Sequence, residues 1–219
     1  MGRWAVFDVD GTLLPQTSAE RLFLKELINR QIITPAQVLT FGLLLLPPFH
    51  SRWGEVLRAN KGYFRGIPIA NARRFSGWFF HHCLLPRLSP SGVAEVRRRK
   101  IEGYQIFLLS GAPQFLLEPL GLHLNADYIL GCQLEQRNKR FTGRLNAPHP
   151  YGRHKRRYLL EVAPQLSLAF DQSVVFANHH TDALHMELFR EAVAVNPTPS
   201  LAQIARERGW PIVHWRSEI

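Results

Sequence analysis

The chain has 219 residues, which at about 150 residues per domain suggests one main domain carrying an insertion. Its 46% hydrophobic and 20% charged residues exclude disordered and fibrous classes, and two cysteines, Cys83 and Cys132, are too few for a secreted disulfide scaffold. The net charge of +10, carried by 22 arginines and 5 lysines, favours an anionic partner: nucleic acid, an anionic membrane surface or a phosphorylated substrate.

Trp4-Ala-Val-Phe-Asp8 reads as a short buried strand that ends in Asp-Val-Asp-Gly-Thr. Two acids within ten residues leave no apolar run for a signal peptide, and with the cysteine count this sets a cytoplasmic expectation. Thr17 and Glu20 stand at capping-box spacing ahead of a helical period at Leu22, Phe23, Leu24, Leu27 and Ile28. Thr34, Pro35 and Gln37 open a second helix, which Pro47-Pro48 stops. Its apolar stretch Val38–Pro48 is about half the roughly 20 residues of a membrane span, long enough to lie on a bilayer but not to cross it. Helical text over 53–64 and 69–85 makes residues 16–86 nearly all helix. Within it, His81-His82-Cys83 is read as core and rim packing, and both cysteines as inert buried thiols.

From Ser89-Pro90 strand and helix alternate. A basic helix runs to Lys100, a strand covers Tyr104–Leu109, and a helix covers 113–122. A small hairpin is expected from Tyr128–Leu134 and Phe141–Leu145, then a helix over 154–162 and a strand over 173–177. A helix over 182–191, a strand over 192–196, a helix over 200–208 and a strand over 211–215 complete the chain. Such alternation implies an α/β fold with a mostly parallel sheet and helices on both faces. The basic clusters, Arg97 to Lys100 and Arg153 to Arg157, lack interleaved aromatics for stacking bases, so nucleic acid is not the expected partner. The run at 97–100 reads as a solvated helix face.

Ligands bind at the carboxyl ends of strands in such sheets. Here those ends carry Asp8 and Asp10, then Ser110-Gly111, then Asn178 with Asp182 one turn on. Two carboxylates two residues apart at a glycine turn suit a hard cation such as magnesium, which takes one or two carboxylates plus phosphate oxygens. A carboxylate can also attack phosphorus, and Lys155 would neutralise the transferring group. His179 and His180 suit a softer metal or, more simply, a loop beside the site. Pro148-His149-Pro150-Tyr151-Gly152 reads as a rigid loop that delivers Lys155.

Asp8-Val9-Asp10-Gly11-Thr12, Ser110-Gly111, Lys155 in a G-x-x-K-x-x-x-x-L segment, and Asn178 to Asp182 resemble the four ordered motifs of haloacid dehalogenase superfamily phosphatases. The long helical insert after the first motif is similar to the phosphoserine-phosphatase-like branch, subfamily IB. The resemblance implies a Rossmann-like core over 1–15 and 87–219, an all-helical cap over 16–86, Mg2+ dependence and a phosphoaspartate intermediate. It makes Asp8 the nucleophile, Asp10 the general acid and base, and Lys155 the neutralising cation. Thr12, Ser110, Gly111 and Lys155 would hold phosphate; Asp8, Asp10, Asn178 and Asp182 would hold the metal.

Asn178 stands where the family usually has an acid, which implies a weaker metal site and leaves a second reading: a relative that binds a phosphorylated ligand or a protein partner without turnover. The branch reads phosphoserine with a cap glutamate nine residues after the nucleophile and a cap arginine. Thr17 and Asn60 occupy those places, although Lys61 or Arg58 could substitute, so phosphoserine is expected to be a poor substrate. Val38–Leu46, Trp53, Tyr63, Phe64, Trp78 and Phe79 leave open a small amphipathic or lipid-headgroup phosphate and peripheral membrane contact. The oligomeric state is not readable from the sequence.

Overall fold

The computed structural model describes residues 2–33 and 61–217. The expected helix from Thr34, the stretch Val38–Leu46, Trp53, Arg58 and Asn60 lie outside them. β1 (Trp4–Phe7) has all four residues buried, as a strand covered on both faces must. It pairs in parallel with β2 (Gln105–Pro113) on one side and β6 (Val174–Ala177) on the other. β3 (Tyr128–Cys132) extends the sheet beyond β2, and β7 (Glu191–Val195) and β8 (Ile212–Val213) extend it beyond β6, giving the order β3-β2-β1-β6-β7-β8. Each neighbouring pair is parallel. The chain winds outward from β1 through β2 to β3, then returns to β6, so the strand order reverses between β1 and β6. This is the Rossmann-like arrangement expected, and that reversal opens a crevice at the carboxyl ends of the strands.

Alternation along β1 sends Ala5 and Phe7 into one core and Trp4 and Val6 into the other. α5 (Arg153–Val162), α6 (Ala183–Met186) and α7 (Pro199–Arg208) cover the second face through Leu159, Met186, Leu201 and Ala205. The first face is covered by α3 (Pro90–Ile101) and α4 (Gln114–Leu124), and also by the insert, through α1 (Ala19–Asn29) and α2 (Ile69–Phe79). Phe23 of α1 meets Phe64, Phe75 and Phe79 of the insert and Phe115 of α4, with ring centroids 6.1, 5.4, 5.0 and 5.6 Å away. Insert and sheet therefore share one apolar cluster.

Several elements differ from expectation. Tyr128–Cys132 is a parallel strand of the main sheet; the hairpin is β4 (Leu134–Arg137) with β5 (Arg140–Leu145). Its turn residues, Asn138 and Lys139, both have positive φ, 50° and 59°, a tight turn without the glycine that usually marks it. The hairpin docks on the insert, with Gly66 N–H donating to the Phe141 carbonyl and Phe141 N–H to that of Ile67. α2 ends at Phe79 and loosens into a π turn, Phe80–Leu84, ahead of Pro86, which has no N–H to offer. His81 and His82 are exposed there, not core, and His82 stacks on Trp78 at 4.5 Å. The helix expected over 182–191 stops at Met186, since Leu184 faces solvent while Phe189 turns into the core.

The run at 97–100 is not simply solvated: Arg99 is buried and pairs with Glu95, Glu102 and Glu191, while Arg98 pairs with Glu95 and Glu102, and Lys100 with Asp127. Among the described residues no helix is long and apolar enough to cross a membrane. Because Phe23 joins insert to sheet, Phe23→Ala should lower unfolding free energy by about 3–5 kcal/mol. A urea titration read by fluorescence and circular dichroism checks this, with both signals shifting together.

Candidate active site

The turn after β1 is closed by its own backbone. Thr12 and Leu14 N–H groups both donate to the Val9 carbonyl, and Gly11 N–H donates to the Leu14 carbonyl. Gly11 has φ +82°, and a Cβ there would lie 2.0 Å from Nδ2 of Asn178, so only glycine lets the Asn178 amide pack on this turn. The turn holds its two acids differently. Asp8 Oδ2 accepts from the Thr12 hydroxyl at 2.9 Å, and Asp8 Oδ1 accepts from Lys155 Nζ at 2.6 Å. Asp10 instead accepts from the Ala19 N–H at 2.9 Å and the Ser18 hydroxyl at 3.0 Å, so it caps α1 from a distance. Thr17 makes no such cap: the residue before α1 is Ser18, whose hydroxyl is spent on Asp10.

Lys155 is buried in the first turn of α5 and bridges Asp8 to Asp182, whose Oδ1 lies 3.0 Å from Nζ. The other oxygen of Asp182 accepts from the His179 N–H at 3.3 Å, which closes the short turn after β6. Burial works to lower the Lys155 pKa, but Asp182 and Asp8 outweigh it and hold the ammonium above the usual lysine range. Burial pushes Asp8 up, against the pull of Lys155. Burial also carries Asp10 up to about 6, against the Ala19 hydrogen bond that favours its ionised form. His185, buried behind Asp182, is kept far below the usual histidine range by desolvation and by Lys155, and so is neutral.

At the end of β2 the ladder slips between Leu109 and Pro113, leaving Ser110 to Ala112 as a bulge. Ser110 Oγ accepts from the Ala112 N–H at 3.0 Å, and Gly111 lies against His149, whose ring would meet a Cβ at 2.7 Å. One cavity of about 530 Å³ gathers Asp8, Asp10, Ser110, Gly111, Lys155, Asn178 and Asp182. Thr12 sits beneath Asp8, fully buried. His149, Tyr151 and His179 also line the cavity; His180 is exposed and does not. Among the described residues no group of three His, Cys, Asp or Glu side chains is placed to hold a metal, so the two histidines make no soft-metal site there.

Five other groups carry a weaker sequence signal. Ser18 holds Asp10, and Glu20, Lys61 and Tyr63 form a further polar wall of the cavity. Asn196, at the end of β7, donates to the Gly11 carbonyl at 3.4 Å and accepts from the Trp215 N–H at 2.8 Å, bracing the turn from behind. The strand-end rule that singles out Asn178 applies equally to Asn196. Lys61 and Glu20 are 41 residues apart and carry no joint signal.

A haloacid dehalogenase-like hydrolase family profile matches residues 5–187. The chain is 26% identical to a phosphoserine phosphatase of Mycobacterium tuberculosis, over 97% of this chain and 70% of that protein. It is 24% identical to a histidinol-phosphatase of Neisseria meningitidis, over 99% and 100%. A protein of unknown function from Bordetella pertussis superposes with a TM-score of 0.81 at 20% identity, over 97% and 98%. The chain belongs to the haloacid dehalogenase-like hydrolase family.

Lys155→Met would leave Asp8 and Asp182 buried without their cation, at a cost of about 3–5 kcal/mol near neutral pH. The cost should shrink in mild acid. A carboxyl whose folded pKa is raised binds its proton more tightly in the folded state, so stability returns as pH falls and Asp8 loses its charge. Denaturation midpoints of variant and parent at the two pH values check the sign.

Proposed function

We propose that this member of the haloacid dehalogenase-like hydrolase family is a magnesium-dependent phosphomonoester hydrolase that forms a phosphoaspartate on Asp8, with residues 16–86 as a helical cap over a core of 1–15 and 87–219. The observation that carries this is the pair of carboxylates on one turn in opposite settings: Asp8 against an ammonium, Asp10 against a helix N-terminus. Two carboxyls so divided suit nucleophile and acid. Asp8 Oδ1 or Oδ2 attacks phosphorus as the ester P–O bond breaks, and protonated Asp10 gives its proton to the leaving oxygen. Asp10, now ionised, takes a proton from a water that attacks phosphorus, and the bond to Asp8 breaks. A carboxyl with a pKa of about 6 can serve in both forms.

Thr12 orients Asp8, while Ser110 and the Gly111 N–H bind phosphoryl oxygens. Lys155, fixed by Asp182, meets the charge that develops on them. The Asp8 carboxylate, the Asp10 main-chain carbonyl and the Asn178 amide oxygen would hold magnesium, which when bound supplies further positive charge to the phosphoryl group. The packing of Asn178 on Gly11 supports that fit, with one carboxylate and two neutral oxygens where two acids are usual. Asp182 accepts from Lys155 and from the His179 N–H, so it holds the ammonium beside Asp8.

The substrate is a small polar phosphomonoester. Phe79 is core, Phe64 and Trp78 line a separate apolar cavity of about 350 Å³, and Tyr63 lines the catalytic one together with Leu24 and Pro150. Val38–Leu46 and Trp53 lie outside the described residues.

Asp8→Asn should keep its fold and lose on the order of 10³-fold or more of its magnesium-dependent aryl phosphatase rate. Asp10→Asn should cost about 10²–10⁴-fold on alkyl phosphates and less on aryl esters, whose leaving groups need little proton donation. Steady-state rates on both ester types check each, and full activity in a folded Asp8→Asn protein removes the nucleophile assignment. Asn178→Asp should lower the half-saturating magnesium concentration by about tenfold, since it adds a charge to the metal site. A parent protein that binds phosphate esters yet turns over none at any magnesium concentration would instead be the non-catalytic relative.

A further inference from the structure

The chemistry above leaves one buried polar group beside the site unused. His185, in α6, is 1% exposed, and its Nδ1 has no hydrogen-bond partner among the described residues. Oδ1 of Asp182 lies 3.8 Å from it, beyond hydrogen-bond distance. A buried nitrogen without a partner is destabilising, and an apolar side chain of similar size would fill the same place without that cost. Imidazole at 185 therefore contributes nothing to the resting protein that a methionine would not.

The oxygen that His185 faces is the one on which Lys155 donates, at 3.0 Å, while the same ammonium donates to Asp8 Oδ1 at 2.6 Å. The proposed reaction changes that balance. As Asp8 bonds to phosphorus its carboxylate becomes an acyl phosphate, and the charge that Lys155 faced moves outward onto the phosphoryl oxygens. An ammonium that follows this charge lengthens its bond to Asp182. Asp182 is 2% exposed, so solvent does not replace the lost donor, and its other oxygen has the His179 N–H at 3.3 Å. Asp182 directly precedes α6 and His185 lies three residues on, so the two side chains share a face. A neutral imidazole carries one N–H, and burial keeps His185 neutral. With that proton on Nδ1, an approach of about 1 Å makes the hydrogen bond to Asp182.

We propose that His185 is a positioning residue for phosphoryl transfer: its Nδ1–H donates to Asp182 once charge leaves Asp8, so that Lys155 turns to the phosphoryl oxygens without leaving a buried carboxylate unpaired. This inference rests on the phosphoaspartate reading and deepens it. The exchange moves hydrogen bonds only; no proton changes owner, and His185 stays neutral throughout. The bond is absent in the free protein and in the substrate complex, where Asp8 keeps its charge and Lys155 stays shared. It forms in the transition state and persists in the phosphoaspartate, so it favours reaction over binding.

His185→Met and His185→Asn test this on the full chain with magnesium and p-nitrophenyl phosphate. His185→Met should lower kcat and kcat/KM together by about 10- to 100-fold, the worth of one hydrogen bond to a charged acceptor, with KM unchanged. Its midpoint in urea should be no lower than the parent's, because the substitution removes a buried unpaired nitrogen. Beryllium trifluoride, which bonds to an aspartate oxygen as a phosphoryl group does, should inhibit His185→Met less well by a similar factor, while inhibition by inorganic phosphate and the half-saturating magnesium concentration stay as in the parent. His185→Asn puts an N–H donor near the place of Nδ1; it should be the less stable variant and yet recover part of the rate and of the beryllium trifluoride affinity. A merely structural role would make rate follow stability. Should His185→Asn fail to fold, the split between beryllium trifluoride and phosphate in His185→Met decides alone. If the parent protein hydrolyses no p-nitrophenyl phosphate, the phosphatase assignment falls and this inference with it. If it does, but His185→Met keeps its rate, weakens both inhibitors alike or shifts the magnesium requirement, or a folded His185→Asn recovers nothing, the inference about His185 alone is overturned.

Discussion

The buried ammonium of Lys155, held between Asp8 and Asp182, is the interaction on which the site depends. It joins β1, α5 and the turn after β6, three pieces of chain that meet at the point where the strand order of the sheet reverses. Taken one at a time, each of the three charges would be too costly to bury; together they fix one another's position and charge. In the proposed reaction the cation that stabilises the burial of Asp8 is also the one that meets the phosphoryl charge as it develops.

The second acid of the motif is held by a different part of the molecule. Asp10 caps α1, and α1 carries Glu20, Arg21 and Leu24 into the cavity wall. α1 is in turn fixed by Phe23 in the cluster shared with α4 and the sheet. Asp10 and this part of the cavity wall are thus both tied to α1, so a change in the packing of Phe23 reaches both. The hairpin of β4 and β5, joined by backbone hydrogen bonds to the 66–69 segment, steadies the insert from the far side of Tyr63 and Phe64.

Asn178 and Asn196 show how little of this depends on charge alone. The first packs on Gly11 from the end of β6, and the second holds the Gly11 carbonyl from the end of β7. Both are uncharged amides at strand ends, and both shape the turn that presents Asp8 and Asp10. With an amide at 178, the proposed metal site would have one fewer charged oxygen than two acids would supply.

Much of the sheet was legible from the chain itself, because buried parallel strands are short apolar runs such as Trp4–Phe7 and Val174–Ala177, each followed by polar residues where the backbone leaves the sheet. The same local rule identified Asp8, Asp10, Ser110, Gly111 and Asn178, and motif spacing identified Lys155. The hairpin was misplaced because Asn138-Lys139 turns without glycine, and the basic run at 97–100 looked solvated because some of its acids, Glu191 and Asp127, come from outside its own helix. What the sequence alone determined was the set of residues that one turn or one strand end can present. What only the tertiary structure decided was which distant side chains share a buried volume: Lys61 with Glu20, Ser18 with Asp10, Asp182 with Lys155. Pairing of buried charges depends on through-space distance and desolvation, and neither leaves a periodic mark along the chain.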